Sequence, residues 1–242
     1  HRLIEGKWGM TAKGDPIIGP ALFNPDLHIS EKAVFDPLYP LILSYDPGMK
    51  HPCLTWAQID SDNQLRILDV MLGVEIDADS FFWAAFGRQK EYIGAVKEIR
   101  ACADKASEQR HGSSTRTEFD IFREHLRPWD VTPITGVVAS KQFLIQRLAS
   151  RFTRLVRGRP AIVFQPRCEY LIEAMLGGWV WRAPTDLRPT PNTPQDNYYS
   201  HGSDTLLYIE QNFGPGIRAI EKLGPRDDRP RAPRHRATSA GY

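Results

Sequence analysis

The sequence predicts an α/β domain: a mixed sheet with an antiparallel three-strand half, extended by parallel strands and flanked by helices. Three observations predict it. Residues 41–45, 53–59 and 65–74 are strand-like runs separated by a short connection and by the turn cluster Asp60-Ser61-Asp62-Asn63, which together make an antiparallel meander. Downstream, short apolar runs alternate with amphipathic stretches, the pattern of strands joined by crossover helices. The chain is 41% apolar over 242 residues, enough to bury a core on both faces of such a sheet.

Element by element, residues 1–39 are rich in Gly, Pro and turn residues and read as an irregular lead-in. Residues 41–45 read as a buried strand running into Asp46-Pro47-Gly48. In 53–59, Leu54, Trp56 and Gln58 share one face. The stretch Asp77-Ala78-Asp79-Ser80 starts a helix, with Asp79 or Ser80 as the cap and Phe82, Phe86, Ile93, Val96 and Ile99 facing inward. Phe81, Phe82 and Trp83 read as core packing rather than base-stacking groups. Residues 96–103 are either the end of that helix or a fourth strand leading to Asp104, and the strand is preferred for the last half. A loop over 107–115 precedes a helix over 117–126, and 131–138 is a candidate fifth strand. Residues 141–156 form an amphipathic helix whose Leu144, Leu148, Phe152 and Leu155 share one face. A strand over 161–164 and a helix over 170–176 follow. Trp179 and Trp181 alternate, so one is buried and one lies at a surface. A Pro- and Thr-rich loop over 183–197 leads to a final helix over 200–213, ended by Gly214-Pro215-Gly216. Domain organisation is expected as a lead-in over 1–39, a domain over 40–215 and a disordered basic tail over 216–242; from Gly224 onward the tail has five arginines and almost no apolar residues. Three strands followed by alternating helices and strands is the order of a ribonuclease H-like fold.

Composition excludes several classes. The formal net charge is +2, so bulk charge points to no partner. Cys53, Cys102 and Cys168 are odd in number and scattered, which argues against a disulfide framework or a zinc knuckle. No apolar run approaches the ~18 residues of a membrane span. No GxxxxGK[ST] phosphate loop occurs.

Three carboxylates can meet on this architecture: Asp46 at the end of the first strand, Asp104 at the end of the fourth, and Asp204 on the last helix. Clustered carboxylates raise one another's pKa values unless a cation compensates, and the oxygen-seeking cations are Mg2+ and Mn2+. Two such ions ~3.5–4 Å apart clamp a phosphodiester during in-line displacement. On spacing alone a turn is the commoner reading of Asp-Pro-Gly, and Asp204 complements a helix dipole equally well. Glu75 and Asp77 are further ligand candidates, read first as a strand end and a helix start. A calcium loop at Asp60-Ser61-Asp62-Asn63 lacks the glycine and distal glutamate of that loop type.

The segments LILSYDPG, ACADKAS followed by TEFDIFREHL, and PQDNYYSHGSDTLLYI together resemble the C-terminal nuclease domain of the large subunit of tailed-bacteriophage terminases. The strand-then-helix stretch GRPAIVFQPRCEYLIEAMLGGWVWR and the opening LIEGKWG are similar to that family as well, and the resemblance covers about residues 1–213. It implies Asp46, Asp104 and Asp204 as metal ligands, with His201 beside them as a ligand or a donor to water or phosphate, and Tyr208 following. It implies a metal-dependent endonuclease of double-stranded concatemeric DNA, with little sequence specificity and two Mg2+ or Mn2+ ions. The partners implied are DNA, an ATPase domain N-terminal to His1, the small terminase subunit and the portal, in the host cytoplasm. Two positions depart from the family pattern: Ser200 stands where an acid often precedes the His, and Thr205 where a small Ala often follows the Asp.

No acid occurs between Val131 and Cys168, while Lys141, Arg147, Arg151 and Arg154 fall in that window. Arg147, Arg151 and Arg154 share a helical face that suits a phosphate backbone or else pairs with acids elsewhere. Lys105, Arg110 and Arg116 flank the loop after Asp104 and are candidates to position a strand. Two alternative functions fit the same residues: another ribonuclease H-like nuclease such as a junction resolvase, and a non-catalytic DNA- or portal-docking module.

Overall fold

The computed structural model describes residues 14–48, 51–110, 115–136, 139–183 and 193–215. Two short helices, α1 (Gly19–Leu22) and α2 (Pro25–His28), precede β1 (Leu41–Asp46), β2 (Cys53–Ile59) and β3 (Leu65–Leu72). Then come α3 (Ala78–Arg88), α4 (Lys90–Ala95), β4 (Ile99–Ala103), α5 (Glu118–Leu126) and the two-residue β5 (Ile134–Thr135). The chain continues through α6 (Lys141–Thr153), the small hairpin β6 (Leu155–Val156) and β7 (Arg159–Pro160), then β8 (Ile162–Phe164), α7 (Glu169–Glu173) and α8 (Ser200–Phe213). The main sheet has the order β5-β4-β1-β2-β3-β8. Within it β2 runs antiparallel to β1 and β3, while β4 pairs parallel with β1, β5 with β4, and β8 with β3. The antiparallel meander and the parallel additions are those the sequence predicts.

Strand alternation divides the core in two. Leu41, Leu43 and Tyr45 of β1 pack with Phe81, Phe82, Phe86 and Phe122 of α3 and α5. Ile42 points the other way, into the layer formed by Leu144, Leu148 and Phe152 of α6 and Leu206, Leu207 and Ile209 of α8. Because successive strand side chains alternate faces, Ser44 and Asp46 lie on the same side as Ile42, toward α8. β4 repeats the division: Ile99, Ala101 and Ala103 join the α3–α5 layer, and Cys102 faces α8 with its Sγ 3.4 Å from Ser44 Oγ. Residues of the lead-in also enter the α6–α8 layer, through Ile17, Ile18 and Phe23.

Several local expectations change. The cap of α3 is Asp77, whose side chain accepts from Ser80 N at 3.0 Å, rather than Asp79 or Ser80. Trp83 is 71% exposed, not core, because Phe81, Phe82, Ala85 and Phe86 already fill the inward face of α3. The helix expected to reach residue 156 ends at Thr153: Arg157 (φ 48) and Gly158 (φ 77) take left-handed conformations that turn β6 back onto β7, and Leu155 is left exposed. The acids of the Asp60–Asn63 turn hold arginines. Asp60 Oδ2 lies 2.8 Å from Arg66 and 3.3 Å from Arg159, and Asp62 pairs with Arg157 and Arg159. Trp179 is fully buried and Trp181 half-buried.

Candidate metal centre

The site is a consequence of register. Ser44 pairs with Cys102 and Tyr45 with Ala103 across β1 and β4. The next step along both strands sets Asp46 beside Asp104, whose backbone N–H donates to Tyr45 O at 3.1 Å. Both carboxylates leave their strands at C-terminal ends, where a mixed α/β sheet opens a crevice. The third comes from α8. His201, Asp204 and Tyr208 are three and four residues apart, so they share one stripe of the helix.

α8 is seated on the sheet by buried hydroxyls. Thr205 Oγ1 lies 2.6 Å from Thr55 Oγ1, and Ser44 Oγ donates to Thr205 O at 2.7 Å. The threonine that departs from the family pattern therefore fastens the helix to β1 and β2 and faces away from the crevice. Tyr170 packs over Gly202, where a Cβ would stand 2.2 Å from its ring, so the first turn of α8 lies flat against α7.

The result is one cleft of about 230 Å3 lined by Asp46, Asp104, Lys141, Asp196, His201, Asp204 and Tyr208. The sequence predicts Asp46, Asp104, Asp204 and His201 as its members, and the structure brings all four together. His201 Nδ1 is 3.4 Å from Asp46 Oδ2, and Asp46 Oδ1 accepts from Gly48 N at 3.3 Å. Gly48 is needed there, since a Cβ on it would stand 2.7 Å from His201 Nδ1. Tyr208 lies against Asp104 and Lys141 Nζ is 2.6 Å from Asp204 Oδ2.

The electrostatics are those of crowded acids. Burial pushes the Asp204 carboxyl up to about 6; Lys141 opposes the shift, and Asp46 and Asp104 add to it. Burial also raises Asp46, against the lowering influence of His201. His201 is raised in turn, chiefly by its contact with Asp46. Burial and the neighbouring acids keep the Tyr208 phenol protonated, with an O–H to donate to a carboxylate.

Among the described residues, no group of three or more His, Cys, Asp or Glu side chains is placed closely enough to hold a metal ion. The donor set nevertheless fits a hard divalent ion in kind. Its atoms are carboxylate oxygens, and Asp204 Oδ1 is buried with no hydrogen-bond partner.

The expected DNA-facing cations separate into groups. Lys141 lies inside the cleft. Lys105, Arg110 and Arg154 are exposed. Arg116 is tied to Glu124 on α5. Arg147 donates to Pro215 O at 2.6 Å and lies 3.8 Å from Glu210. Arg151 leaves the expected surface: at 1% exposed it is buried between α6 and α8, ion-paired to Glu210 and bonded to Asn63 O at 2.9 Å. An apolar stripe beside a basic one has the pattern of a solvated edge, and the partner acid lies 59 residues on. Glu75 and Asp77 do not line the cleft; Asp77 is spent on capping α3. Asp196, which sequence reasoning missed, stands on the lip with Oδ1 3.2 Å from Ser200 Oγ. The acid four residues upstream of Ser200 was the available signal.

No protein-family model matches the sequence, and no curated protein matches it. Solved structures do. The large terminase of a thermophilic bacteriophage superposes with a TM-score of 0.60 over 81% of this chain and 44% of that one, at 13% identity. The same protein in complex with ADP covers 83% and 45%, at a TM-score of 0.59 and 13% identity. The nuclease domain of the bacteriophage SPP1 large terminase, with bound Mn, aligns more loosely, over 76% of this chain and 95% of that domain at 18% identity and a TM-score of 0.47. The chain spans less than half the length of the thermophilic-phage protein. Its fold is the ribonuclease H-like α/β fold that the element order predicts, shared with part of that terminase.

Proposed function

We propose that this chain is a divalent-metal-dependent DNA endonuclease, the nuclease domain of a viral DNA-packaging terminase, cutting double-stranded DNA by phosphodiester hydrolysis with little sequence specificity. The observation that carries the proposal is the meeting of Asp46, Asp104 and Asp204 with His201 in one cleft at the C-terminal ends of β1 and β4. These residues come from three distant parts of the chain and have no shared structural duty, whereas the other buried acids, Asp60, Asp69 and Glu210, are each held by arginine.

Asp46, Asp104 and Asp204 would hold the ions, Mg2+ or Mn2+ and two in number. Bound there, such ions activate water and stabilise the leaving 3′-oxygen. The chain's own residues do the rest. Gly48 N and His201 Nδ1 fix the Asp46 carboxylate from two sides, and Tyr208 steadies Asp104. Asp46 chiefly, with a smaller contribution from Asp196 on the lip, favours the protonated form of His201, a donor able to hold water or a phosphate oxygen. Lys105 and Arg110, exposed after Asp104, would position the backbone of the cut strand, and Arg154 at the end of α6 would extend that track. Phosphate contacts carry no base information, which accounts for the low sequence preference.

The test is a nicking assay on supercoiled plasmid with Mg2+ or Mn2+. The wild type is expected to nick and linearise the DNA, and Asp46→Asn or Asp204→Asn to abolish cutting while circular dichroism stays unchanged. Equal cutting by the wild type and either variant would refute the assignment. A preference for branched junctions over linear duplex would move the protein to the resolvase reading.

A further inference from the structure

One group in the cleft has no part in that chemistry. Lys141, first residue of α6, puts its ammonium 2.6 Å from Asp204 Oδ2. It is the one Lys or Arg among the described residues that line the cleft. Its position is built in. The start of α6 is fixed by Ser140, whose Oγ accepts from Phe143 N at 3.3 Å. Farther along, Arg151 is buried against Glu210 and bonded to Asn63 O and Ala161 O, which locks the register of α6 on α8. A helix clamped at its far end and capped at its near end delivers its first side chain to a set place, and here that place is Asp204.

We propose that Lys141 is the resident counter-cation of the site: its ammonium holds Asp204 in the metal-free protein and competes with a divalent ion for that carboxylate, so that loading the site requires Lys141 to let go. The inference rests on the reading of the cleft as a metal centre. The physical reason is that a carboxylate oxygen already engaged by an ammonium at hydrogen-bond distance must break that contact to coordinate an ion. Asp204 has one oxygen taken in this way and one, Oδ1, buried and unpartnered. The two oxygens thus divide the work: one is open to an incoming ion, and the other is guarded. Lys141 is itself about half exposed, so its long side chain has room to swing away from the carboxylate toward solvent. Released, the ammonium stays at the rim of the cleft, where a phosphate would compete with Asp204 for it. Metal loading and DNA binding then help each other, because each takes one half of the same ion pair.

Isothermal titration of MnCl2 into DNA-free protein at pH 8 tests this in wild type, Lys141→Met, Lys141→Arg and Asp204→Asn. Lys141→Met is expected to bind Mn2+ about tenfold more tightly than wild type, because a positive charge a few ångströms from the ion is gone. Lys141→Arg keeps a cation at the same carboxylate and is expected to stay near wild type. Asp204→Asn is expected to bind weakly, and adding Lys141→Met to it should bring no further gain, since the pair is already broken. Thermal denaturation supplies a second readout: metal-free Lys141→Met should melt below wild type, with Asp204 left uncompensated, and should gain more from saturating Mn2+. An unchanged Mn2+ affinity in Lys141→Met, with wild-type binding intact, overturns the competition and leaves the metal centre standing. Failure of every one of these proteins to bind Mn2+ overturns the metal-centre reading and this inference together.

Discussion

Replacing Arg151 by Ala separates a structural arginine from a DNA-binding one. The Arg151 and Glu210 side chains are 1% and 2% exposed, and the guanidinium also bonds Asn63 O at 2.9 Å and Ala161 O at 3.3 Å. Truncation leaves the Glu210 carboxylate charged in a buried place and strips two carbonyls of a donor. Breaking a buried pair from one side costs about 3–5 kcal/mol. Arg147 stands 3.8 Å from Glu210 and remains after the substitution, which argues for the lower end, ~3 kcal/mol. Urea denaturation followed by circular dichroism reads this as a fall in midpoint of roughly 1–3 M at an unchanged slope, for a slope of ~1–3 kcal/mol/M. Replacing both partners with apolar residues, Arg151→Met with Glu210→Leu, should recover most of the loss, because no unpaired charge is left behind. DNA affinity and its salt dependence should match wild type in the folded single variant. A loss below ~1 kcal/mol, together with weaker DNA binding and a shallower salt slope, would refute the reasoning and return Arg151 to the phosphate-contacting face.

Two further outcomes follow from the cleft. Gly48→Ala would bring a methyl group to 2.7 Å from His201 Nδ1 and 2.6 Å from the backbone oxygen of His51, so the ring must leave Asp46 and the backbone at His51 must shift; cleavage should fall at least tenfold with a modestly lowered melting temperature, and undiminished cutting would show that the His201–Asp46 contact is idle. Metal-free stability should fall as pH rises from about 4 to about 6. Folded Asp204 keeps its proton up to about 6 whereas the unfolded chain releases it near 3.8, so the proton-bound folded state is favoured below that window and the advantage is lost through it, by ~3 kcal/mol. Asp46, also raised, and His201, whose proton is stabilised by Asp46, act in the same direction. Saturating Mn2+ should flatten this slope in urea melts taken from pH 4 to 8, and a metal-free protein whose stability rises over that range would contradict the burial of Asp204.

The sequence made the site legible where its signal was local. An alternating strand that ends in a carboxylate, a helix with His, Asp and Tyr on one stripe, and a fourth strand closing on an acid are all readable within ten residues, and the fold's parity then fixes which face each carboxylate takes. What stayed hidden depended on partners far away in the chain. Arg151 reads as a surface cation until Glu210 is placed against it, and Lys141 reads as one more member of a basic stripe until α6 is docked with its first residue on Asp204. Asp196 sits in an aperiodic Pro- and Asn-rich segment, where no pattern says which side chain will turn inward. The hairpin of β6 and β7 hides behind the preceding helix because its apolar Leu155 continues the helical stripe, and Gly158 in the left-handed turn is the residue that announces it.

Crystals soaked in MnCl2 and measured at the manganese absorption edge test the central claim most directly. Anomalous density is expected in the cleft, within coordination distance of oxygens from Asp46, Asp104 and Asp204, with its loss in Asp204→Asn. Manganese bound elsewhere on the protein with that cleft vacant would contradict it.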